Sequence, residues 1–152
     1  MQWRKKDISQ YLKAKEYIDT VIIPLMPIHM SDDQVIERDS FQNEVLTVFT
    51  NELERELSGR TMLIPSYHYI KKTEIENEKN RLNGWVENMK EQPFTQIFLI
   101  TYDSRWKKIE RELDGTLIWL PAIQTGDLQS KELQQMIREQ VSQIVELIRS
   151  YW

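Results

Sequence analysis

The 152-residue sequence has no cysteine and only four glycines. Without thiols there are no disulfides, no thiolate metal sites and no Cys nucleophile, and carboxylates and two histidines are the metal-ligating types that remain. Long hydrophobic runs are missing too. The most apolar stretch, Val21 to Ile28, is interrupted by Pro24 and Pro27, and the basic opening Met1 to Asp7 leads into no apolar segment. Neither a membrane span nor a signal peptide is therefore expected. Positive charge is in deficit, with 20 Lys and Arg against 24 Asp and Glu for a formal charge of −4. That is the wrong sign for a domain that grips a nucleic-acid backbone. The sequence also lacks Gly-x-Gly-x-x-Gly, Gly-x-x-x-x-Gly-Lys and Gly-x-Ser-x-Gly, so the usual backbone cradles for phosphate and the exposed-serine elbow are absent.

What is present is ordinary globular sequence, 40% hydrophobic and 29% charged, of a length that forms one core. Residues 1–152 are read as one domain. A short amphipathic helix is predicted from Asp7 to Tyr17, with Ile8, Tyr11 and Leu12 on one side and Asp7 as its cap. The β-branched run Asp19–Pro24 reads as a strand buried on both faces, ended by Pro24, which has no N–H to donate. A long helix follows, capped within Ser31–Gln34 or at Asp39 or Ser40, carrying the stripe Phe41, Val45, Leu46, Phe49, Leu53 and Leu57, and stopping at Gly59. Arg60–Pro65 is the second strand, and Ile75, Leu82, Trp85, Val86 and Met89 mark a helix ending before Pro93.

Gln96–Tyr102 is the third strand. Asp103 or Ser104 caps a short helix with Trp106, Ile109 and Leu113 inward, Thr116–Pro121 is the fourth strand, and Asp127 or Ser130 caps a final helix running to the chain end. Helix–strand alternation of this kind gives a three-layer α/β fold: a four-stranded, mostly parallel sheet with helices on both faces, flavodoxin- or Rossmann-like, with strand order 2-1-3-4.

Ligands of open parallel sheets sit beyond the carboxyl ends of the strands. The residues there are His29, Ser31 and Asp32 after the first strand, Ser66 to Lys72 after the second, Tyr102 to Lys108 after the third, and Gln124, Thr125 and Asp127 after the fourth. Ser66, His29 or His68, and Asp103 supply the types of a hydrolase triad, and His29, Asp32 and Asp33 those of a metal cluster. Neither set has the spacing of a known site, and capping explains the serines and aspartates at less cost. No catalytic set and no cofactor or metal is assigned.

Two functional readings follow. The first is a non-catalytic interaction or adaptor domain that captures a protein partner through the terminal aromatics Tyr151 and Trp152, against which stands the docking of both rings on the sheet. The second is a small-molecule protein or enzyme taking an anionic or nucleotide-like ligand. His68, Tyr102, Asp103, Arg105 and Lys107 are its binding residues, drawn from a cluster of cations and rings that also holds Lys71, Lys72, Lys108, Tyr67, Tyr69 and Trp106. A solvated Lys face and a core tryptophan are the plainer explanation of that cluster.

Trp3, Lys6-Asp-Ile8, the segment Tyr11–Thr20 with its Ala14-Lys-Glu-Tyr-Ile-Asp19 centre, Ile23-Pro-Leu25, and Thr101-Tyr-Asp103 followed by Trp106 together resemble the YpiF-type proteins of Bacillus and relatives, a small family of unknown function. The resemblance spans the full length. It implies a cytoplasmic bacterial protein and carries with it no active-site residue, substrate or cofactor.

Overall fold

The computed structural model describes residues 1–123 and 126–152. Gln124 and Thr125, two of the strand-end candidates, lie outside the described residues. In chain order the elements are α1 (Lys5–Tyr11), a 3-10 turn (Lys15–Tyr17), β1 (Thr20–Ile28), α2 (Asp33–Glu56), β2 (Thr61–Leu63), β3 (Tyr67–Ile70), α3 (Ile75–Met89), β4 (Gln96–Thr101), a 3-10 helix (Ser104–Glu112), β5 (Thr116–Trp119) and α4 (Lys131–Ser150).

The sheet runs β2-β1-β4-β5 with every pair parallel, and β3 pairs with β1 beyond the end of β2. For the four strands read from the sequence this is the order 2-1-3-4. The sheet has five strands rather than four, because Tyr67–Ile70, read as a loop, alternates buried tyrosines with exposed His68 and Ile70 and pairs with residues 25–28.

Pro24 does not end β1. The Ile22 carbonyl accepts from the Ile64 N–H and the Ile28 carbonyl from the Lys71 N–H, so even-numbered residues of β1 turn their backbones toward β2 and β3. The donor that Pro24 lacks therefore falls opposite the break between those strands. Pro27 faces the other way, past the last β4 pair at Leu25–Thr101, and its carbonyl accepts from Asn43 Nδ2 at 3.1 Å. A strand tolerates proline where no ladder bond is due.

Alternation along the strands builds the three layers. Ile22, Met26, Phe98, Ile100 and Ile118 pack on α2 and α4, whereas Val21, Ile23, Leu25, Ile97, Leu99 and Leu117 pack on α1, α3 and the 3-10 helix. Asp32 caps α2, accepting from the Gln34 N–H at 2.9 Å, and Ser130 caps α4, accepting from the Leu133 N–H at 3.2 Å. Asp7 is no cap: α1 starts two residues before it, and its carboxylate accepts from the Gln2 N–H. Asp39 and Ser40 lie inside α2, which stops at Glu56, with Gly59 taking a left-handed φ of 89° three residues later. No helix among the described residues is long and apolar enough to cross a membrane.

Candidate functional site

The strand order reverses between β1 and β4, whose crossovers depart in opposite directions and leave a crevice at their carboxyl ends. A cleft of about 280 Å³ opens there, between the end of β1, the first turns of α2, the residue after β3 and the start of the 3-10 helix. Leu25, Pro27, Leu46 and Ala122 give it apolar wall, and Arg38, Asp39, Lys71, Tyr102, Asp103, Ser104 and Arg105 give it polar wall.

Asp103 follows β4 directly and is locked from four sides. Its carboxylate accepts from the Arg105 backbone N–H at 3.1 Å, from Arg105 Nη2 at 2.8 Å and Nε at 3.2 Å, and from Tyr69 Oη at 2.7 Å. Burial pushes its pKa up, but the Arg105 and Tyr69 hydrogen bonds and the guanidinium charge outweigh that and hold it below the usual carboxylate range. Beneath it, Trp106 Nε1 donates to Tyr69 Oη at 2.9 Å, and Arg105 Nη1 donates to the Lys71 carbonyl at 2.6 Å. Desolvation, then the Asp103 charge, drives the Tyr69 hydroxyl far above its ordinary value, and desolvation alone raises Tyr102. Each of these shifts moves a group away from neutrality. At neutral pH these directions keep the Asp103 carboxylate ionised and the Tyr69 and Tyr102 hydroxyls protonated.

The opposite wall comes from α2. Asp39, 4% exposed, accepts from Lys71 Nζ at 3.0 and 3.1 Å, while Arg38 Nε reaches it only at 3.5 Å. Three cations thus face two carboxylates. Arg38, with 45% of its side chain exposed, is the least committed of them.

Of the residues singled out from the sequence, Tyr102, Asp103 and Arg105 meet in this cleft, and Lys71 joins them. His68 is exposed on β3 and does not line it, and Lys107 sits with its Nζ 4.2 Å over the Trp119 ring. Of the rings in that cluster, Tyr67, Tyr69 and Trp106 are inside, at most 2% exposed, and Tyr102 reaches the cleft with 9% exposure. Ser66 lines a separate depression with Trp3 and Pro65, so the triad residues are not assembled. Among the described residues no three His, Asp or Glu side chains converge to hold a metal.

At the chain end, Trp152 Nε1 donates to Thr20 Oγ1 at 2.9 Å beneath the Arg60 guanidinium, 4.0 Å above its ring. Tyr151 lies edge-on to Phe98 and is 46% exposed. Arg38 and Asp39 were not found from the sequence as site residues. A signal existed for Asp39: positions 39, 43, 46, 50 and 53 form one helical stripe that ends, where α2 passes the strand ends, in a carboxylate and an amide, Asp39 and Asn43.

Comparison with known proteins agrees with the full-length resemblance. The chain is 28% identical over 155 residues to the uncharacterized protein YpiF of Bacillus subtilis (strain 168), covering all of this chain and 98% of that one. No solved structure matches. The model of one family, described as a protein of unknown function (DUF2487), matches residues 9–152. Because that match spans nearly all of the sequence, this chain belongs to the DUF2487 family.

Proposed function

We propose that the protein binds a small anionic metabolite, one bearing a carboxylate or phosphate, in the cleft at the β1–β4 reversal. The observation that carries this reading is the charge arrangement at that place. Arg38, Lys71 and Arg105 surround the crevice against only Asp39 and Asp103, and Arg38 is left with a single long contact. The Ser104 hydroxyl and the Gln42 amide line the same cleft and bond to no described residue, which leaves donors for an incoming oxyanion. A volume of about 280 Å³ is at the small end for ligand cavities. Tyr102 is the one ring among the described lining residues and is only 9% exposed, so size and lining favour a compact metabolite over a nucleotide. The pinned Asp103–Arg105–Tyr69 network supports binding without turnover, since it holds the floor rigid before any ligand arrives.

Thermal unfolding against inorganic phosphate, sugar phosphates, di- and tricarboxylates and nucleotides tests the reading. A ligand at about a hundred times its Kd adds about 2.7 kcal/mol, a midpoint rise of roughly 5 to 10 °C for a chain of this size. The expected result is such a rise with a small oxyanion, lost in Arg38→Ala. A flat panel, or a rise that survives Arg38→Ala, refutes it.

A further inference from the structure

β1 is flanked on one side by two short strands laid end to end, and their outer edges are treated differently. The edge of β2 is covered: the Leu63 N–H donates to the Met1 carbonyl at 2.8 Å, and Gln2 bridges Leu63 in parallel. The edge of β3 is covered only at its end, where the Ile70 carbonyl accepts from the Thr73 N–H at 3.0 Å. Because the Lys71 N–H donates to the Ile28 carbonyl and Ile28 pairs with Ile70, residues 67, 69 and 71 turn toward β1 and residues 68 and 70 turn outward. No described residue bonds to the backbone N–H or C=O of His68.

Natural monomers blunt such an edge with lysine, proline or a covering loop. On β5, the strand at the opposite edge of the sheet, Trp119 has Lys107 Nζ 4.2 Å over its ring. On the β3 side no charged residue occurs from Thr61 to Ile70. Apolar surface gathers there: Ile70 is 56% and Trp3 64% exposed, and Trp3 heads a groove of about 360 Å³ walled by Ile64, Pro65, Trp85 and Met89.

We infer that the β3 edge is a homodimer interface, pairing antiparallel with β3 of a second copy about a two-fold axis at His68. The occupant follows from the sequence of the edge. With no charged residue from Thr61 to Ile70, the edge can pair with its own copy without setting like charges opposite one another, and an antiparallel register centred on His68 sets each Tyr67 opposite the partner's Tyr69. The two His68 residues exchange their free N–H and C=O groups, and Ser66 comes opposite Ile70 of the second copy. A five-residue edge is a small contact, and the exposed Trp3 and Ile70 beside it supply the apolar area that hydrogen bonds alone do not.

In this register side chain 68 faces its own copy, which makes a charge-swap experiment decisive. Sedimentation of the wild-type protein into the high micromolar range is expected to reach twice the 18.4 kDa chain mass. His68→Glu and His68→Lys each place like charges directly opposite and are expected to sediment at the chain mass, and an equimolar mixture of the two is expected to regain the doubled mass. Far-UV circular dichroism checks that both variants fold, as an exposed side chain should allow. Hydrogen exchange on the wild type gives an independent reading: the His68 and Ile70 amides gain protection on concentration if the edges pair. A wild-type protein that stays at the chain mass overturns the inference. So do charge variants that remain dimeric alone, or His68 and Ile70 amides that exchange equally at all concentrations.

Discussion

At the residue scale the most constrained group is Tyr69. Its hydroxyl donates to Asp103 and accepts from Trp106 Nε1, with Tyr69 and Trp106 both in the core. Tyr69→Phe leaves the buried Trp106 N–H without an acceptor and removes one of the donors that hold Asp103. It is expected to cost about 1–3 kcal/mol in urea unfolding at neutral pH. Asp103 adds a pH dependence with a definite sign. Its folded pKa lies below the ordinary carboxylate value it has when unfolded, so its contribution is fully present above that ordinary value, near pH 4, and is lost as pH falls through the folded value. Asp19 is lowered in the same sense: burial pushes it up, but its bidentate pair with Arg60 prevails. Asp103→Asn is therefore expected to be less stable than wild type at pH 7 and to lose less further stability between pH 5 and pH 2. Urea midpoints measured across that range check it, and parallel pH profiles would show that Asp103 is not held by Arg105 and Tyr69 in solution.

Among the elements, β1 carries two prolines in the middle of a sheet, and the side to which each backbone points explains both. Pro24 faces the break between β2 and β3, so restoring an N–H there completes no ladder bond. Because Pro24 is buried, Pro24→Ala is expected to cost about 1–3 kcal/mol, from an unpaired buried N–H and lost ring contacts added to the looser unfolded chain. One residue on, Leu25 turns toward β4, where Thr101 is its partner and its carbonyl accepts from Thr101 Oγ1 at 3.2 Å. Leu25→Pro removes a ladder donor in the middle of the sheet and is expected to destabilise by about 3 kcal/mol or more beyond Leu25→Ala. Chemical unfolding of the three variants decides whether the strand is continuous as described. Equal losses for Leu25→Pro and Leu25→Ala would show that the ladder does not run through this point.

Across the whole molecule, the end of the chain returns to its start. Trp152 reaches the beginning of β1 through Thr20 and is covered by Arg60, itself paired to Asp19. The Met1 amino group meets Glu54 of α2 and donates to the Thr61 carbonyl at 2.8 Å. These contacts tie α4, the N-terminal residues and the sheet together at the end opposite the cleft. Trp152→Ala is expected to lower stability by about 2 kcal/mol, a fall of roughly 4 to 8 °C in the thermal midpoint. Because the indole lies at the far end of the strands from the cleft, it should leave any oxyanion-induced rise in midpoint unchanged. A loss of that response would mean that the two ends of the sheet are coupled.

The elements and their order were written in local patterns. β-branched runs gave four strands, 3.6-residue stripes and caps gave the helices, and right-handed crossovers left a few topologies, of which 2-1-3-4 was favoured and the sheet pairing decided. Tyr102, Asp103 and Arg105 could be named in advance because residues just after parallel strands converge at a known end of the sheet. Tertiary structure alone decided the rest, since each missing piece depends on what lies opposite. β3 is a strand only because the far half of β1 needs a partner. Pro24 is harmless only because of where its backbone points. Arg38 and Asp39 become walls of a cleft only when α2 is laid across the ends of β1 and β4. Periodicity reports which face of an element is buried, whereas pairing, register and charge compensation belong to residues far apart in the chain.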